Sequence, residues 1–335
     1  MSELAQPGKG MGVPPEEPVG ETRRRLPFDL TGLQLQEYSL GLVVVLLILF
    51  GAVAESDDFL NKDNLLGVLT QASVVGVLAI GMTFVIATAG IDLSVGSMVA
   101  AAGIAGGLLV DSGSAAFMLG ALGMGILLGG INAGAIAFGR VVPFIATLAM
   151  FTMARGLALW LSDKTPVSLF SLDGVRWFGN GEVLGIPSAA LVFLAITVFA
   201  WVVLNRTRFG RYVIAVGGNR EAARIAGVKV PWIVFSVYVI SGLCVGIAAI
   251  LVSGRLASAS PIIGNLYELD AIAAVVIGGS ALAGGRATIV GTFLGVITFA
   301  LIFNLLTLMD LAVEIQQITK GLIILAAVLI QRRER

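Results

Sequence analysis

Ten separate runs of apolar residues constrain what this chain can fold into more than any other feature. They lie at about 39–54, 65–88, 94–110, 115–138, 143–161, 188–204, 231–252, 269–284, 288–308 and 315–330. A helix that crosses a bilayer needs about 20 mostly apolar residues, and most of the runs approach that length. Inside lipid every backbone N–H and C=O must be bonded within its own segment, so such runs read as helices. Composition agrees. The chain is 57% hydrophobic and 13% charged, with mean hydropathy +0.98, whereas soluble domains carry about 25% charged residues. The expected fold class is an all-α integral membrane protein with about ten transmembrane helices.

The same composition excludes several functions. There is no histidine, and the single Cys244 lies inside an apolar run. The usual ligands for zinc or haem are missing, and no disulfide can form within one chain. Acids and bases balance at 21 each, which leaves no basic surplus for nucleic acid. Residues 1–38 read as a largely disordered cytoplasmic tail. Its segment "QPGKGMGVPPEEPVGETRRR" lies where a secretory signal would carry its apolar stretch. Residues 39–330 form one transmembrane domain, and 331–335 a short cytoplasmic tail.

An even number of crossings puts both termini on one side, and the basic residues say which. With both ends in the cytoplasm, the inner segments hold fifteen Lys and Arg, among them Arg23, Arg24, Arg25, Arg140, Arg220 and Arg286. The outer loops hold only Lys62, Lys164, Arg176 and Arg255, and are otherwise acidic. That asymmetry fits the positive-inside rule. It places "AGIDLSVGS" (89–97) in the cytoplasmic turn between the second and third spans. Asp92 then has two readings. It can cap the third span by accepting from the free amides of Ser94 and Val95, or, with Ser94, it can belong to a substrate path or gate.

The one long cytoplasmic loop, 205–230, contains "GGNREAARIAG", a short helix with both ends marked. Asn219 is the N-cap, Glu221 sits in the first turn where its charge suits the helix dipole, and Gly227 is a left-handed stop. Arg220 to Ala226 spans about 10 Å, marginal alone in water, so something must hold it. Ala222, Ala223 and Ala226 give a smooth face that can enter a groove on another protein; a helix lying at the lipid headgroups is the alternative. No G-x-x-x-x-G-K-[ST] occurs, so ATP, if it drives the protein, binds another chain.

Five blocks carry a resemblance. "EAARIAG" matches the opening of the EAA-x-x-x-G loop of ABC-importer permeases. "AGIDLSVGS", "PFIATLAMFTMARG", "NRTRFGRYVIAVGGNREAARIAGVKV" and "YELDAIAAVVIGGSALAGGRATIVGT" together resemble the ribose/xylose-type sugar permeases, over about residues 60–330. The resemblance implies a transport subunit without catalytic residues or cofactors, in a bacterial inner membrane. It implies a second permease chain (a homodimer or a pair), a cytoplasmic double ATP-binding subunit and an external sugar-binding protein. It assigns ATPase coupling to Glu221, Ala222, Ala223 and Gly227, with Asn219, Arg220 and Arg224 beside them. Permeases for branched-chain amino acids, nucleosides or autoinducer share the superfamily. An ion-coupled secondary transporter is the more distant alternative.

Four further observations complete the expectations. Asn132 and Asn304 suit interhelical hydrogen bonds or sugar hydroxyls. Arg155 and Lys320, inside spans, favour internal pairing. Glu268 and Asp270 are placed at a solvated outer mouth, and no aromatic cluster marks a sugar pocket. Gly90–Ser97 and Gly285–Thr292 form a faint internal echo.

Overall fold

A computed structural model describes residues 32–333, with side chains from 39 to 329 apart from 56–57. The expected tail, with Arg23, Arg24 and Arg25, lies outside the described residues up to 31. The helices, in chain order, are α1 Gly32–Ala54, α2 Ser56–Phe59, α3 Lys62–Ala87, α4 Val95–Gly107, α5 Ser114–Ala137, α6 Pro143–Leu161 and α7 Asp173–Asn180. They continue as α8 Ser188–Arg206, α9 Arg208–Gly218, α10 Arg220–Ile225, α11 Val230–Leu256, α12 Tyr267–Ile277, α13 Ile289–Leu308 and α14 Val313–Arg333. Two antiparallel pairs of two-residue strands join the loops: β1 Val167–Ser168 with β4 Ser258–Ala259, and β2 Glu182–Val183 with β3 Ile186–Pro187. Helix α1 begins at Gly32, inside the segment read as tail.

Among the described residues, six helices are long and apolar enough to cross a membrane: α3, α5, α6, α8, α11 and α13. The runs at 94–110 and 269–284 behave differently. Helix α4 has 13 residues and α12 has 11, about 20 and 16 Å, too short to span alone. Each is the helical half of a broken segment. Both are almost wholly buried in protein, and that is the setting in which irregular backbone is tolerated at membrane depth.

The breaks define an internal repeat. Helices α3, α4 and α5 have 26, 13 and 24 residues; α11, α12 and α13 have 27, 11 and 20. Each unit is a long helix, an irregular turn, a half-helix and a second long helix. The first unit ends its long helix beside α9 and α10, the second begins its long helix there, so the two run in opposite senses. Echoed sequence does not mark this repeat. Gly90–Ser97 leads into the half-helix α4, whereas Gly285–Thr292 leads into the long helix α13.

Close packing fastens the units together. Gly125 and Gly129 of α5 face Gly242 and Gly246 of α11, both spaced G-x-x-x-G. A Cβ on Gly129 would stand 2.8 Å from the Gly242 Cα and from the Tyr238 carbonyl. Only glycine lets two helix backbones approach this closely, which is how helices associate where lipid removes the hydrophobic drive.

Candidate functional site

Three regions of the fold carry polar chemistry. The first is α10. Asn219, in extended conformation, accepts from the Ala222 amide at 2.9 Å, the capping its sequence position predicts. At the other end the Gly227 N–H donates to the Arg224 carbonyl and the Val228 N–H to the Ala223 carbonyl, both at 3.0 Å, with Gly227 at φ +85°. This is a complete Schellman stop. Arg224 pairs with Glu221 at 2.5 Å, and that hydrogen bond holds the Glu221 carboxyl below its ordinary range.

One expectation for α10 fails. Ala223 does not face outward: it is 5% exposed and belongs to the chain's own core, where α10 packs on α9 and α11. The outward face is made instead by Glu221, Ala222, Arg224, Ile225 and Ala226, with Ile225 77% exposed. Arg220 reaches back to donate to the Thr88 carbonyl at 3.4 Å, just past the end of α3.

The second region is the break between α3 and α4. Asp92 is fully buried, not in a surface turn. Its Oδ1 accepts from the Ser94 amide at 3.0 Å and from Ser94 Oγ at 2.5 Å. Ser241 Oγ donates to Oδ2 at 3.1 Å, and Asn132 Nδ2 donates to Ser94 Oγ at 2.9 Å. The bond to the Ser94 amide closes the turn ahead of α4, but the N-cap of α4 is Ser94 itself, with no side-chain cap bond, so Asp92 is not the cap expected; no bond joins Asp92 to the Val95 amide among the described residues. Ser241 stands eleven residues past Val230, about 16 Å along α11. The carboxylate therefore sits near the middle of the bundle. The broken backbone is satisfied too: Tyr238 OH donates to the Ile91 carbonyl at 3.4 Å, and Thr147 Oγ1 lies 3.3 Å from it. Asp92 thus supplies acceptors where the helix is interrupted, and neutral donors surround it.

The two half-helices meet here. A Cβ on Gly96, in the first turn of α4, would collide with the Gly264 carbonyl and with Glu268 Oε2. Glu268 and Asp270 occupy the first turn of α12 and are buried, 6% and 8% exposed. The expectation of a solvated mouth is wrong for both, because the loop before α12 folds inward onto α4. Arg155 donates from Nη1 to the Pro261 and Ile263 carbonyls at 2.6 and 3.0 Å. It thereby satisfies backbone ahead of the second half-helix.

The third region is a cavity of about 660 Å³ bounded by α3, α12, α13 and α14 and the ends of α7 and α11. It runs from Asp63 to Val75, about 18 Å along α3, starting at the end opposite α9 and α10. Asn304 lines it and exchanges two hydrogen bonds with Asn64, at 2.7 and 3.1 Å. Lys320 pairs with Asp270 at 2.5 Å and lies 5.3 and 5.8 Å from the ring centroids of Phe303 and Phe299. No aromatic cluster was expected, yet those two ring centroids stand 4.6 Å apart on the cavity wall.

Residues 64–328 match the family model of the permease component of branched-chain amino acid transport systems. The chain belongs to that family. The permease is 41% identical over 292 residues to the ribose import permease protein RbsC of Haemophilus influenzae, covering 85% of this chain and 90% of the relative. It is 40% identical to the ribose import permease protein RbsC of Bacillus subtilis, covering 95% and 98% of the two chains. Identity to the D-allose transport system permease protein AlsC of Escherichia coli is 32%, covering 93% and 96%. No solved structure matches the permease.

Of the residues singled out in the sequence, the fold joins Asp92, Ser94 and Asn132 in one buried network and leaves Asn304 in the cavity, apart from it. Ser241 and Tyr238 were missed, being ordinary residues of an apolar run that meet Asp92 only through the packing of α11. Asn64, Gln71, Phe299 and Phe303 were missed as well. A usable signal existed for one pair: Asp270 and Lys320 carry opposite charge inside neighbouring apolar runs.

Proposed function

We propose that this permease is the membrane-spanning subunit of an ATP-driven importer that carries a monosaccharide of the ribose type, with ATP hydrolysed by a separate double-domain cytoplasmic chain docked on α10. The observation that carries the reading is the build of α10. It is capped at both ends, anchored through Ala223 and Arg220, and turns outward a short face of Glu221, Ala222, Arg224, Ile225 and Ala226. A membrane-surface helix would need no such anchoring. The printed names of the ribose and D-allose permeases supply the cargo class.

In this reading the chain makes ten crossings, two of them through the broken segments, with both termini in the cytoplasm of a bacterial inner membrane. A second permease chain, by preference an identical one, covers part of the exposed apolar surface, and an external sugar-binding protein delivers the cargo at the cavity end. Asn219, Arg220, Glu221, Ala222, Arg224 and Gly227 form the coupling element, while Ala223 holds it to the bundle. Asp92, Ser94 and Asn132 brace the pathway rather than line it; Asn304 lines it.

The test is co-expression of the permease with the ATPase and binding protein encoded beside it. Ala222→Trp should abolish co-purification of the ATPase and uptake of radiolabelled D-ribose. Membrane level and elution profile of the permease should be unchanged, because Ala222 is exposed. Overpacking a fitted contact costs about 1–3 kcal/mol. Full ATPase binding and uptake in Ala222→Trp would remove the docking role. Uptake of L-leucine in place of D-ribose would move the cargo to the amino-acid class.

A further inference from the structure

We propose that a second, smaller pocket at the α10 end of the bundle binds the headgroup of an anionic phospholipid; the inference goes beyond the importer reading and is independent of the cargo. The pocket, about 280 Å³, lies between the end of α5, the turn into α6 and the start of α11. Its floor is apolar and buried, made by Ile136 and Val234. Its rim carries two cations, Arg140 from the α5–α6 turn and Arg220 from the start of α10.

Neither cation is neutralised. Arg140 makes no hydrogen bond or ion pair among the described residues. Arg220 gives one bond, to the Thr88 carbonyl at 3.4 Å, and a guanidinium has more N–H groups than that bond uses. Acids that could answer them are missing. The described loops at this end hold only Asp92, which is buried, and Glu221, which is paired with Arg224. Two unpaired guanidiniums over one pocket attract an anion, and their planar forks suit phosphate oxygens. Helices α6 and α11 add to this, since both start at the pocket and neither first turn is capped by a side chain.

The surroundings say that the anion comes on a lipid. Phe138, just past α5, meets Trp232 and Phe235 in the first two turns of α11, with ring centroids 5.3 and 5.7 Å away. Phe138 and Trp232 are exposed. Aromatic rings gather where hydrocarbon gives way to headgroups, so the trio sets the pocket at headgroup depth. On the other side Val142, Phe144, Ile145 and Leu148 form an exposed apolar slope that leads from the pocket along α6, where acyl chains can lie. A soluble anion would use the arginines and leave that slope bare. Basic pockets between transmembrane helices are a known way of holding anionic headgroups.

The experiment measures binding of dioleoyl phosphatidylglycerol to delipidated permease in detergent by native mass spectrometry, with dioleoyl phosphatidylcholine as the neutral control. Phosphatidylglycerol should fill one tight site per chain, and phosphatidylcholine only a weak, graded series. Arg140 holds a left-handed backbone (φ +56°), which asparagine tolerates, so Arg140→Asn removes the charge and keeps the turn. It should weaken the first phosphatidylglycerol about fivefold, the worth of one basic residue near a membrane surface. Arg140→Lys should restore most of the binding. If Arg140→Asn elutes as aggregate, Arg220→Gln should show the same loss. Arg211→Gln, which removes an exposed arginine of α9 outside the pocket lining, should change binding little. Equal losses in Arg140→Asn and Arg211→Gln, or equal binding of the two lipids, would leave only a nonspecific annulus and overturn the site. Full displacement by glycerol 3-phosphate would make it a site for soluble anions instead. Lipid carried by monomeric permease but absent from a dimer, or expelled when the ATPase is added, would give the pocket to a protein partner and refute the proposal.

Discussion

Replacing Asp92 in steps should separate its shape from its charge. The carboxylate takes three hydrogen bonds: from the Ser94 amide, from Ser94 Oγ and from Ser241 Oγ. Asp92, Ser94 and Ser241 are all 1% exposed or less, so water cannot replace a lost partner. Asp92→Ala leaves three donors unmatched at about 1 kcal/mol or more each, a loss of about 3 kcal/mol. Asp92→Asn keeps Oδ1 for both Ser94 bonds and turns an N–H toward Ser241, whose hydroxyl can accept it. All three contacts can then be kept, so the loss should be about 1 kcal/mol or less. Ser241→Ala leaves Oδ2 without a donor among the described residues and should cost about 1.5–3 kcal/mol, the worth of a hydrogen bond to a charged group. The assay is the fraction of monodisperse permease surviving a heating series in detergent, read by fluorescence-detected gel filtration, beside D-ribose uptake at matched expression. The expected order of stability is wild type, Asp92→Asn, Ser241→Ala, Asp92→Ala. If Asp92→Asn is as damaging as Asp92→Ala, the charge is what the site needs. The acceptor role in the broken backbone would then be wrong.

Two further outcomes follow from the packing. Gly129→Ala should lower folded yield, because its Cβ meets backbone of α11 at 2.8 Å and overpacking costs about 1–3 kcal/mol. Gly130→Ala, one residue on with nothing within 4 Å, should instead add about 0.5–1 kcal/mol by helix propensity; equal effects would refute the close helix pair. Lys320→Met should cost about 3–5 kcal/mol by leaving Asp270 buried and unpaired, whereas Lys320→Met with Asp270→Leu should recover most of it. The same heating series reads both, and a double variant no better than the single one would deny the pairing.

How much of this was legible depended on how local the physics is. The caps of α10 were readable because each acts on a partner three residues away, Asn219 on Ala222 and Gly227 on Arg224. Which side of α10 faces out was not, because the burial of Ala223 is decided by α9 and α11, and an alanine suits either side. That the runs at 94–110 and 269–284 form only half-helices was hidden for another reason. A half-helix sheltered by protein is as apolar as a full one bathed in lipid, so "VGSMVAAAGIAGGLLV" reads as one continuous span. Even the depth of Asp92 was inaccessible. A carboxylate between glycines signals a turn, but only Ser241, 149 residues away, says that the turn lies inside the bundle.

The two breaks also explain why the proposed coupling element sits where it does. The turn after α3 and the turn after α12 come together at one point, where the Gly285 N–H donates to the Ala87 carbonyl at 3.0 Å. Helix α9 presses on both at once: a Cβ on Gly217 would overlap the Ala87 carbonyl and stand 2.5 Å from the Gly285 nitrogen. Arg220, opening α10, holds the next carbonyl, Thr88. Just inside, Thr83 and Thr292 join the two units hydroxyl to hydroxyl at 2.8 Å. Backbone against backbone leaves no side-chain rotamers to absorb a push. A displacement of α9 and α10 is therefore passed directly to α3 in one unit and to the end of α12 in the other. Asp92 follows the first of those helices and Asp270 lies on the second, and both helices wall the cavity. Force entering at α10 would reach the cavity by changing the angle between the units, and an importer without an ATPase of its own needs such a route.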